Sequence, residues 1–132
     1  MRAICNEFYG TEGIHGCGYG QDEDQGQLGA WYVMSAIGLF DVKGLTQLDP
    51  EFQIGSLLFD KTTIKLNRNY YKGKTFTIKT WDNSAANQYI QSVRCKGKQK
   101  NVLFIPFREV VKGGEMVITL GNEPTFLPRW AC

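Results

Sequence analysis

Three consecutive acids, Asp22-Glu23-Asp24, lead directly into an apolar segment that continues to Phe40. The segment holds Leu28, Trp31, Tyr32, Met34, Ile37 and Leu39, and it is long enough for a helix of about four turns. Those residues cover most of the helical circumference, the pattern of a helix buried on nearly every side. A helix of that kind cannot stand alone, so the chain must build a larger core around it. Asp24 stands three residues before Gln27, the spacing of a capping box, which predicts a helix start near Asp24.

The acids at that start carry the candidate chemistry. Asp22 and Asp24 are two residues apart, and in an extended segment such residues project to the same side, where two carboxylates can converge on one water or one cation. A helix N-terminus favours their ionised form, which suits a general base and disfavours a general acid. The same residues also fit an acidic helix cap facing solvent, and spacing alone favours that cap, since acids are ordinary in first turns. An EF-hand calcium loop is a poor match. It would want glycine at the sixth position and glutamate at the twelfth, where this chain has Gln27 and Val33.

Arg2 to Tyr9 reads as the end of a helix that stops at Gly10, and Gly10 to Gly20 is turn material containing the lone His15, read as solvated or locally hydrogen-bonded. After Phe40 a connection runs to Pro50, and the pattern then changes to short strands. These are expected near 52–58, 62–66, 75–81, 88–96, 102–105 and 116–120, with a hairpin connection over 67–73 and one helical turn over 107–112 closed by Gly113-Gly114. The expected fold class is therefore α+β. A helical segment carrying the acidic motif occupies 1–44, an antiparallel β-rich region occupies 45–121, and a tail occupies 122–132.

Composition excludes several function classes. A formal net charge of +2 with scattered lysines gives no case for nucleic acid. No stretch approaches the roughly 18 apolar residues of a membrane span, and Met1-Arg2-Ala3-Ile4-Cys5 does not read as a signal peptide. Cys5, Cys17, Cys95 and Cys132 lack the close-paired spacing of a zinc site and are read as free thiols. Trp31 is read as core, while Tyr70 and Tyr71 are the better candidates for exposure, and no sugar-binding platform is assigned to the aromatics.

The run Asp22-Glu23-Asp24-x-Gly26-x-Leu28-x-Ala30-Trp31-Tyr32 resembles the acidic motif of glycoside hydrolase family 92, the calcium-dependent exo-acting α-mannosidases. Ala36-Ile37-Gly38-Leu39-Phe40, Ile54-Gly55-Ser56-Leu57-Leu58-Phe59-Asp60-Lys61, Gly73-Lys74-Thr75-Phe76-Thr77-Ile78, Tyr89-Ile90-Gln91-Ser92 and Gly113-Gly114 follow in the family's order. The resemblance covers about Asn6 to about Gly121, with Gln21, Gly29 and Leu57 departing from the residues usual there. Gly29 lowers helix propensity by roughly 1 kcal/mol against alanine.

The resemblance implies that Asp22 and Asp24 are the general-base pair of an inverting enzyme that removes α-linked mannose, most often α-1,2-linked, from glycans. It implies Ca2+ as cofactor, with the acidic stretch as the part of this chain that offers oxygen ligands. It also implies that the helical segment is the last part of an (α/α)6 barrel, that the general-acid glutamate lies upstream of Met1, and that the parent protein is secreted, periplasmic or on the cell surface. On that reading the chain alone is inactive, and its all-round apolar helix leaves a patch for self-association or for the missing upstream part of the enzyme. The alternative is a non-catalytic β-rich module, structural or carbohydrate-contacting.

Overall fold

The computed structural model describes residues 2–8, 26–42 and 46–125. Two helices open the chain, α1 (Arg2–Phe8) and α2 (Gln27–Ala36). Three short strands, β1 (Leu39–Phe40), β2 (Glu51–Ile54) and β7 (Phe104–Pro106), form an antiparallel sheet in the order β1-β2-β7. A five-stranded sheet runs β3-β4-β8-β5-β6, from β3 (Lys61–Lys65), β4 (Thr75–Trp81), β5 (Tyr89–Cys95), β6 (Lys98–Lys100) and β8 (Gly114–Gly121). A single helical turn, α3 (Phe107–Val110), follows β7 directly.

Period-two alternation makes the larger sheet. Phe76 and Ile78 in β4, Met116 and Ile118 in β8 and Val93 in β5 are fully buried, while their sequence neighbours face outward. They join Phe52 and Ile54 of β2, Ile105 of β7, Leu39 of β1 and Leu57 in one contiguous core, so the two sheets close on each other's apolar faces. The α+β class and the predominance of strand hold, and β4 lies where its alternation placed it.

Three expectations are corrected. First, the β region is mixed rather than purely antiparallel, because β4 and β8 pair in parallel from Phe76↔Gly114 to Trp81↔Thr119. A parallel pair needs a long crossover, here the whole stretch from β5 to α3, and side-chain alternation carries no information on strand direction. Second, the acid-led helix does not reach Phe40. It ends at Ala36, because Gly38 adopts φ 77° and its N–H bonds back to Ser35 O at 3.1 Å, a left-handed stop that releases Leu39–Phe40 as a strand. Third, the helix starts at Gln27 behind Gly26, which sits at φ 73° with no side-chain cap, rather than at Asp24.

That helix is also not buried all round. Met34 and Ile37 pack on the core, but Val33 is 56% exposed and Trp31 and Tyr32 are half-buried. The β6 hairpin escaped the sequence reading because Lys98-Gln99-Lys100 has no apolar alternation. Its signal is the turn: Lys96 and Gly97 both adopt positive φ, the two-residue connection that fits the twist of paired strands.

Candidate active site

Asp22, Asp24 and His15 lie outside the described residues, as do Glu23, Cys17 and Cys132. The structure instead describes the mount on either side of the acidic stretch, namely α1 before it and α2 after it. Both helices are fixed to one segment of the β region, Gly55–Leu58. Leu58 N donates to Ala36 O at 3.0 Å and Gly55 N to Gly38 O at 2.9 Å, so the C-terminal end of α2 is bonded to that segment by its backbone. Gly38 packs so closely that a Cβ there would stand 2.6 Å from Leu57 Cδ1 and 2.9 Å from Gly55 O.

Arg2 secures α1 to the same place. Its guanidinium donates through Nη1 to Leu57 O at 2.9 Å and Ser56 Oγ at 3.4 Å, and through Nη2 to Ser84 O at 3.0 Å. Burial pushes the group below its ordinary value and the field of Asp60 opposes that shift. The side chain is only 8% exposed, and Nε has no partner among the described residues. Sequence reading passed over this residue. The available signal was a lone cation in an otherwise apolar stretch, which in a buried helix must find acceptors. Replacing it, Arg2→Ala, is expected to cost about 2–3 kcal/mol, since the carbonyls of Leu57 and Ser84 lose a charged donor. A lower urea midpoint with new proteolytic cleavage near α1 is the expected observation, and an unchanged midpoint would mean the clamp holds nothing.

Beside Arg2 lies a cleft of about 450 Å³ lined by Gln53, Ser56, Gln88, Tyr89 and Thr125 among others. Among the described residues its lining includes no carboxylate or imidazole. Gln91 ties residues 123–125 to one side, donating to Glu123 O at 2.8 Å and accepting from Thr125 Oγ1. No group of three or more His, Cys, Asp or Glu side chains converges among the described residues. Cys5 and Cys95 are free and buried, as expected for thiols outside a metal site. Burial raises both above the ordinary thiol value, and for Cys95 the Glu109 carboxylate raises it further while Lys100 and Lys96 oppose.

The mount has one electrostatic consequence for the acids. Gly26 offers no side chain to the first-turn amides of α2, and the helix has no acid in its first turn. A helix N-terminus favours the ionised form of a carboxylate placed beside it.

Comparison with known proteins decides the family. The family model described as the glycosyl hydrolase family 92 catalytic domain matches residues 1–122. The chain belongs to glycosyl hydrolase family 92. Among solved family-92 structures, the inverting mannosidase BT2199 of Bacteroides thetaiotaomicron VPI-5482 is 33% identical, with a TM-score of 0.73 over 93% of this chain and 15% of its own. The α-mannosidase BT3965 of Bacteroides thetaiotaomicron shares the fold at a TM-score of 0.77 and 21% identity, again over 93% of this chain and 15% of its own. The family-92 glycosyl hydrolase ccman5 is 29% identical at a TM-score of 0.69, over 79% of this chain and 13% of its own. The chain thus spans about 15% of the length of the solved mannosidases it matches. A comparison with curated protein sequences gives no match.

Within this family-92 chain the Ile54–Lys61 motif acquires a physical role. Its Gly55–Leu58 part holds both the N-terminal residue of α1 and the C-terminal end of α2.

Proposed function

We propose that this chain is the C-terminal part of a family-92 α-mannosidase and that it supplies the general base. The observation that carries the proposal is the 33% identity to an inverting mannosidase over 93% of the chain, joined to the carboxylates Asp22 and Asp24 just ahead of the uncapped start of α2. In this reading the helix terminus keeps both carboxylates ionised, and they take a proton from a water that attacks the anomeric carbon of a terminal α-1,2-linked mannose with inversion. An inverting acid and base stand roughly 6.5–9.5 Å apart with that water between them. The acid comes from outside these 132 residues. Calcium, which the family resemblance implies, would take oxygen ligands from the acidic stretch and from outside this chain. It would supply a fixed positive charge to hold sugar hydroxyls.

α1 and α2 would be the end of an (α/α)6 barrel, and the exposed Ile4 and Val33 would pack on its preceding helices. A mannose-containing glycan is the substrate, and the parent acts outside the cytoplasm. The chain by itself is expected to leave an aryl α-mannoside intact with added calcium, and Asp24→Ala is expected to behave the same. Turnover by the unaltered chain that disappears in Asp24→Ala would place a working acid inside these residues and overturn the division of labour.

A further inference from the structure

We draw no further inference here: the strongest candidate, the cleft of about 450 Å³ beside the buried Arg2, lined by the start of α1, the end of β2 and the start of β5, opens on a face of a chain that spans about 15% of the length of its solved relatives, and nothing in the structure shows what covers it.

Discussion

Gly38→Ala is expected to destabilise the chain by about 2–5 kcal/mol and to lower its melting temperature by roughly 10–20 °C. Two costs add at this position. The backbone sits at φ 77°, where an L side chain costs about 1–2 kcal/mol. The new Cβ would also meet Leu57 Cγ and Cδ1 at 2.6 Å, and Leu57 is fully buried, so it has nowhere to retreat without disturbing the core. Gly97→Ala is the control. Gly97 has φ 78° but nothing within 4 Å of its would-be Cβ, so only the backbone cost applies. Calorimetry of the two variants separates the terms, and equal losses would mean that the close packing of Gly38 on Leu57 contributes nothing.

The same glycine shows how far the fold was legible and where reading stopped. An apolar run from Leu28 to Phe40 looks like one long helix, because hydrophobicity does not distinguish the face of a helix from the inside of a strand. Gly38 was the stop signal inside it, and its left-handed φ turns the last two residues into β1. Strands with strong alternation, such as Thr75–Trp81, were readable residue by residue, since period two is a local property. The parallel pairing of β4 with β8 was not readable, because it depends on a crossover of some thirty residues rather than on either strand.

For the candidate site the balance is different. Asp22 and Asp24 stood out by charge and their place before a helix, their role as a base came from the resemblance to the family motif, and both lie outside the described residues. What the sequence hid was their support. Arg2, with acceptors at positions 56, 57 and 84, has partners more than fifty residues away, and no local pattern encodes such a contact.

Asp24→Asn is expected to have the largest functional effect, and it is best read where the chain is completed. A graft in which this chain replaces the matching 15% of the inverting mannosidase BT2199 restores an upstream acid to the base proposed here. Removing one acid–base participant typically costs on the order of 10²–10⁴ in rate, and the amide of asparagine keeps the size of the side chain while losing its basicity. The decisive measurement is therefore kcat/KM of the graft on an aryl α-mannoside before and after Asp24→Asn, with Asp22→Asn alongside. A folded graft that releases mannose and loses about 10²–10⁴ of that activity in Asp24→Asn is the predicted result. A graft that keeps its full turnover with both aspartates replaced would contradict the assignment of the general base to this chain.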